Sequence, residues 1–311
     1  MAPHLLLIRH GESVDNVAGL YAGSRDSSLT NHGVLQARRL GSHLADNAAT
    51  LGPIEHIFAS NLQRAVKTAE AVAQAQLGVR NAHTMPQVVQ LPMLREKDFG
   101  SEEGMRFGAR EIARRGASSS ATWVEPESRQ SMKRRVDRFL DDFFLATATR
   151  AVSATPPGSI AIVSHGIILN VLLRCLLMRF GPGQMVRFAK AGTTPRASEW
   201  LASWSNTGYL VLEMRVLPLA PLAAPASLPN TPGLAASVAE SDRGVQSVNA
   251  VSNPVDGSNA SSNPDIQLSV KLVNCTDHLQ GLKKTRSGIG SACFDEKQKT
   301  LDSFFSRAPP K

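Results

Sequence analysis

The sequence predicts an α/β fold over residues 1–216, with three layers and a mostly parallel sheet. Three observations carry this. Short β-rich runs alternate with helical patterns along that stretch, as in α/β domains. The chain of 311 residues is 42% hydrophobic, enough for a sizeable core. The alternation then stops near Pro218, where the composition changes abruptly.

Taken in order, His4 to Ile8 reads as a buried strand. Asn31 to Asp46 reads as a helix with Leu35, Leu40 and Leu44 on its apolar side, and Ile57 to Ala59 as a second short strand. Ser60 or Asn61 can cap the next helix, because a short polar side chain there reaches the first amides. A long helix is predicted from Ser131 to about Thr147, with Val136, Phe139, Leu140, Phe143 and Phe144 inward. Ser159 to Val163 is an apolar strand, followed by a helix through Leu176, and Tyr209 to Met214 makes a closing strand.

From about Pro218 to Pro264 the chain is dominated by Ala, Pro, Ser, Asn, Gly and Val, without an aromatic residue. Such a segment buries too little surface to offset its ordering entropy, so residues 217–265 are expected to be a disordered linker. Residues 266–311 regain charge but are poor in large apolar side chains, and are expected to form an interaction tail.

Lys and Arg number 34 against 26 Asp and Glu, a net charge of +8. That excess suits an anionic substrate or partner, and equally an ordinary solvated surface. Cys175, Cys275 and Cys293 are too few and too widely spaced for a disulfide framework or a zinc pattern, and fit a reducing compartment. The run Leu5 to Ile8 is too short for a secretory core, and Ile167 to Phe180 is interrupted by Asn170, Arg174 and Arg179. The expectation is an intracellular protein, cytoplasmic or nuclear, without membrane attachment.

The chemistry-bearing residues begin where the first strand ends, at Arg9-His10-Gly11-Glu12-Ser13 with Asn16 soon after. Ligands bind at the carboxyl ends of parallel strands. A neutral imidazole nitrogen attacks phosphorus when the other ring nitrogen donates a bond that fixes the tautomer. Arg9 supplies a fork for phosphate oxygens, and Gly11 permits close backbone approach. Alone, this stretch is equally a surface histidine among unrelated charges. Three further segments alter that. Ser60 to Ala65 places Arg64 early on a helix, Leu94-Arg95-Glu96 offers a general-acid carboxyl, and Val163-Ser164-His165-Gly166 repeats the first arrangement at a late strand end.

These four separated motifs, in this order, resemble the histidine phosphatase (phosphoglycerate mutase-like) superfamily over about residues 4–214, as does the stretch from Ala22-Gly23 through Leu29-Thr30, Gly33 and Gln36-Ala37. The resemblance implies an α/β/α sandwich and His10 as a phosphorylated nucleophile. Arg9, Arg64 and a protonated His165 would complete the phosphate pocket, with Asn16, Gly23 and Gly166 beside it and Glu96 as acid and base. It implies neither metal nor other cofactor, and a phosphorylated small molecule or protein as substrate. Glu96-Lys97-Asp98-Phe99-Gly100 departs from the Glu-Arg-x-Tyr-Gly of cofactor-dependent mutases, which points to the phosphatase branch and leaves phosphoglycerate mutase as the alternative. A bifunctional kinase is excluded by the absence of a G-x-x-x-x-G-K-[ST] loop. Arg106, Arg110, Arg114 and Arg115, on a segment expected to overhang the site, either receive an anionic substrate or make a solvated helix face.

Near the end, Gln298-Lys299-Thr300-Leu301-Asp302-Ser303-Phe304-Phe305 resembles the peptide box that binds the replication sliding clamp, PCNA. In that mode Leu301, Phe304 and Phe305 enter one apolar pocket and Gln298 a polar one. The other reading has these phenylalanines packing back on the domain, and a third class is a catalytically idle scaffold. Lys283-Lys284-Thr285-Arg286 is too short a basic cluster to predict direct nucleic-acid binding.

Overall fold

A computed structural model of the chain describes residues 2–79, 85–108, 123–181, 203–216, 266–284 and 288–296. The expected linker at 217–265, the clamp-box residues Gln298, Leu301, Phe304 and Phe305, and Arg110, Arg114, Arg115 and Arg286 lie outside the described residues.

Six strands form one sheet: β1 (His4–Arg9), β2 (Ile54–Ser60), β3 (Val88–Leu91), β4 (Ser159–Ser164), β5 (Tyr209–Val216) and β6 (Ile266–Cys275), in spatial order β3-β2-β4-β1-β5-β6. The first four are mutually parallel, β5 is antiparallel to β1, and β6 is antiparallel to β5, so the sheet is mixed with most of its pairings parallel, as expected. Leu5, Leu6, Leu7 and Ile8 are all fully buried, as a central strand covered on both faces requires. Leu5 and Leu7 join one apolar core and Leu6 and Ile8 the other, because successive side chains point to opposite faces.

Helices α2 (Asn31–Asp46) and α4 (Gln63–Ala75) cover one face, packed closely enough that a Cβ at Gly41 would sit 2.5 Å from the Ala71 carbonyl oxygen. The other face carries α7 (Gly166–Phe180) and a long helix made of α5 (Arg129–Phe139), a π segment (Leu140–Phe144) and α6 (Leu145–Ser153). Short helices α1 (Val14–Ala18) and α3 (Ala48–Leu51) flank α2. No described helix is long and apolar enough to cross a membrane.

Several local expectations are corrected. Leu35 is exposed, because the buried stripe of α2 runs through Gly33, Gln36, Ala37, Leu40 and Leu44. Neither Ser60 nor Asn61 caps α4. Asn61 Oδ1 accepts from Arg95 Nε at 2.9 Å, and the Gln63 amide donates instead to Asp26 Oδ1 at 2.7 Å, a cap supplied from another loop.

The largest difference lies at the C-terminal side. Residues 266–311 were expected to form a tail, yet Ile266–Cys275 is the sixth strand and covers the β5 edge, burying Ile266 and Leu268. The chain then returns to the loops that follow β1. Lys284 pairs with Glu12 at 2.9 Å, the Asn31 amide donates to Ala292 O, the Phe294 amide to Leu29 O, and Lys67 pairs with Glu296.

Candidate active site

The sheet register brings the two motif histidines together. Arg9 pairs with Ser164 at the carboxyl ends of β1 and β4, so the next residues, His10 and His165, are neighbours with ring centroids 5.0 Å apart. The His10 amide donates to Ser164 O at 3.0 Å, which closes the gap between the strand ends. Each strand hands over to a loop or helix here, and this is where an α/β sheet presents side chains to a ligand.

His10 is buried, and its Nδ1 lies 2.6 Å from Gly11 O. With the proton on Nδ1, that bond leaves the Nε2 lone pair free for attack. The Gly11 amide donates to Thr68 Oγ1, whose hydroxyl donates to Arg64 O, so α4 and the nucleophile loop are tied together. A Cβ on Gly11 would meet Gly33 O at 2.6 Å, so the loop and the start of α2 approach as only glycines permit. Burial, with Arg64 and Arg9 close by, holds the His10 imidazole well below its usual pKa despite the opposing bond to Gly11 O. It is neutral at neutral pH, the form a nucleophile needs.

Arg64 is fully buried on the first turn of α4 and donates to Arg25 O at 2.6 Å and Gly23 O at 2.8 Å. Burial lowers its pKa to about 10, so it stays a cation at neutral pH. Arg9 donates to Trp204 O. The Nε atoms of Arg9 and Arg64 and both ring nitrogens of His165 are buried without a hydrogen-bond partner among the described residues. These residues line one cavity, where the two guanidiniums and the single N–H of a neutral His165 fit an anion with several acceptor oxygens.

His165 differs from expectation in charge. Burial, followed by the proximity of Arg64, His10 and Arg9, pushes its pKa well down, so the free site holds it neutral rather than protonated. A phosphate dianion sharing the cavity shifts that balance toward the cation.

Glu96 reaches the same cavity from the loop after β3. Its Oε2 accepts from the Ile167 amide and Oε1 from the Ile168 amide, both at 3.1 Å, and Oε1 also from Lys97 N at 2.8 Å. The carboxylate therefore caps α7 where the helix dipole favours negative charge, while Gly166 at the first helical position lines the cavity. Arg135 positions this loop: its guanidinium donates to Met93 O, Arg95 O and Glu96 O and pairs with Glu127. Asn16 forms a reciprocal cap with Ser13 and lines the cavity, and Gly23 presents its carbonyl to Arg64.

All the motif residues expected at the site, Arg9, His10, Asn16, Gly23, Arg64, Glu96, His165 and Gly166, line one cavity of about 360 Å³. Sequence reasoning missed Trp204 and Asn206. Asn206 Nδ2 donates to His10 O and Asn16 Oδ1, and Trp204 Nε1 to Asn170 Oδ1. They reach the site because β5 runs antiparallel and so begins at the catalytic end; no local motif marks them. Tyr21, Phe99 and Phe107 were missed too, although Phe99 adjoins the recognised Gly100.

The histidine phosphatase superfamily (branch 1) matches the chain over residues 5–200. A probable phosphatase of Schizosaccharomyces pombe is 30% identical over 304 residues, which cover 97% of this chain and 79% of that protein. The probable phosphoglycerate mutase GpmB of Erwinia tasmaniensis is 35% identical over 213 residues, covering 66% of this chain and 89% of its own. Among solved structures, mycobacterial hydrolase 1 superposes with a TM-score of 0.55 at 18% identity, covering 88% of this chain and 99% of that one, which shows a shared fold.

Proposed function

The chain belongs to the histidine phosphatase superfamily and is a phosphatase, and from that premise we propose that it hydrolyses phosphomonoesters through a phosphohistidine on His10 without a metal ion. The observation that supports this best is the neutral His10 with Nδ1 engaged by Gly11 O, set among buried arginine and histidine nitrogens that have no hydrogen-bond partner among the described residues.

His10 Nε2 attacks phosphorus in line, the N–P bond forms, and the ester P–O bond breaks. Arg9 and Arg64 hold the non-bridging oxygens, and His165 joins them as it takes up a proton beside the bound dianion. Glu96 delivers the proton to the leaving oxygen. The Lys97, Ile167 and Ile168 amides hold its carboxyl in place for that transfer. In the second step the carboxylate removes a proton from water, which attacks phosphorus and releases the His10 imidazole. Asn16, Gly23 and Gly166 frame the phosphate. Two fixed guanidiniums supply the positive charge that a metal supplies in other phosphoryl-transfer sites.

The test is phosphate release in EDTA by the wild type and His10→Ala, with a base quench to trap acid-labile phosphoprotein. Turnover and trapped phosphate in the wild type alone are expected. Activity lost in EDTA and restored by magnesium would refute metal independence. The likeness to a phosphoglycerate mutase makes transfer between hydroxyls the second reading, and interconversion of phosphoglycerates followed by NMR would replace hydrolysis with it.

For the tail, the reading is that Gln298, Leu301, Phe304 and Phe305 dock a sliding clamp of the PCNA type, supported by the spacing of the box alone. Binding of the tail peptide to the clamp, lost in Phe304→Ala and Phe305→Ala, is the expected result. Equal and negligible affinity of all peptides would remove it.

A further inference from the structure

The inner end of the cavity is cationic, but its mouth is built from rings. Tyr21 lies against Phe99 with centroids 4.7 Å apart and edge-on to Phe107 at 4.8 Å, and Leu20, Ile167 and Trp204 complete the wall. Phe107 is 59% exposed, with its ring set edge-on to Tyr21. Lys97 Nζ sits 5.2 Å from the Phe99 centroid.

This wall is held by a short antiparallel ladder. The Tyr21 amide donates to Met105 O, Gly104 N to Tyr21 O and Phe107 N to Gly19 O, with Leu20 and Arg106 bridged. The rings are therefore set in place before a ligand arrives, which lowers the ordering cost of binding. Glu96 lines the same cavity, so an anionic group on the leaving alcohol gains no cationic partner from it. A volume near 360 Å³ lies at the small end of the roughly 300–1,000 Å³ usual for small-molecule sites, enough for a phosphoryl group and one ring system.

We propose that Tyr21, Phe99, Phe107 and Trp204 form the leaving-group subsite, and that the enzyme takes monophosphate esters of uncharged, ring-bearing alcohols in preference to phosphorylated acids or polyols. This rests on the phosphatase reading of the same cavity. The ring stacks against the Tyr21–Phe107 wall while its phosphate reaches His10.

The experiment compares kcat/KM for benzyl phosphate and 2-phenylethyl phosphate with that for glycerol 3-phosphate and 3-phosphoglycerate, all esters of alcohols with poor alkoxide leaving groups. The wild type is expected to favour the aromatic pair by about tenfold or more, the scale of one aromatic contact with the area it buries. Phe107→Ala, an exposed position where folding is not at stake, should cut that ratio by about tenfold, mainly through KM. A wild-type ratio at or below one, or a ratio that Phe107→Ala leaves intact, overturns the subsite while His10-dependent phosphate release keeps the phosphatase reading. No release from any of the four esters overturns that reading, and the subsite with it.

Discussion

Gly23→Ala tests how the phosphate pocket is held. Gly23 has φ +49°, and an added Cβ would lie 2.2 Å from Glu103 Oε1 and 2.8 Å from Phe99 Cδ2. The left-handed backbone alone costs an L-residue about 1–2 kcal/mol. Glu103 cannot move aside freely, since its Oε1 accepts from the Ser24 and Phe99 amides and its Oε2 from the Ser24 hydroxyl. Loosening two of those bonds adds about 2 kcal/mol at roughly 1 kcal/mol each. The sum is a loss of about 3–4 kcal/mol, or roughly 10 °C in Tm for a domain of this size. Gly23 O also accepts from Arg64, so the guanidinium shifts with the loop, and kcat should fall by about 10²–10³, as when one charge-stabilising donor is removed. Urea unfolding and steady-state kinetics measure both. A variant within about 0.5 kcal/mol of the wild type and within twofold in kcat would refute the argument that this loop fixes Arg64.

Four other outcomes are expected. In the free protein, ¹⁵N NMR of the His10 imidazole should show the proton on Nδ1 and a titration midpoint below 6.5, because burial beside Arg64 and Arg9 disfavours the cation; a midpoint at or above 6.5 contradicts this. Burial also pushes the pKa of His278 down to about 4, so the unfolded chain takes up this proton first as pH falls. Stability should then drop by up to about 3 kcal/mol between pH 6.5 and 4, and His278→Gln should flatten that slope in pH-dependent melts. Arg135→Lys, lacking the planar fork, should lower kcat by about tenfold or more without unfolding the domain, because the Glu96 loop is no longer gripped at three carbonyls; an unchanged kcat sinks that role. A chain ended at Val216 loses β6 with its buried Ile266 and Leu268, at a cost of at least about 4 kcal/mol by differential scanning fluorimetry, whereas a dispensable tail would leave Tm unchanged.

Much of the catalytic set was legible because it is local. His10, Arg64 and His165 each sit one to four residues past a strand whose apolar run stands out, Glu96 follows β3, which the sequence reading did not pick out, by five, and ligand-facing side chains of parallel sheets gather at those ends. Leu35 was placed inward and is exposed, since a helix stripe read from three leucines ignores the small residues Gly33 and Ala37 on the buried side of α2.

By itself the sequence determined the alternation of elements, the central buried strands and the order of the phosphate-binding residues, because strand, turn and helix signals act over a few neighbouring positions. Only the tertiary structure decided the rest. The strand β6 was passed over although Ile266, Leu268, Val270 and Leu272 alternate with polar residues, because residues 266–311 as a whole are poor in large apolar side chains; its pairing with β5 is what the structure adds. Asp26 caps α4 across 37 residues and Glu96 caps α7 across more than 70, and Trp204 and Asn206 arrive with the reversed direction of β5. The neutral charge of His165 likewise depends on who its neighbours are in space. Pairing direction, register and burial bring together groups distant along the chain, and no short-range pattern encodes those distances.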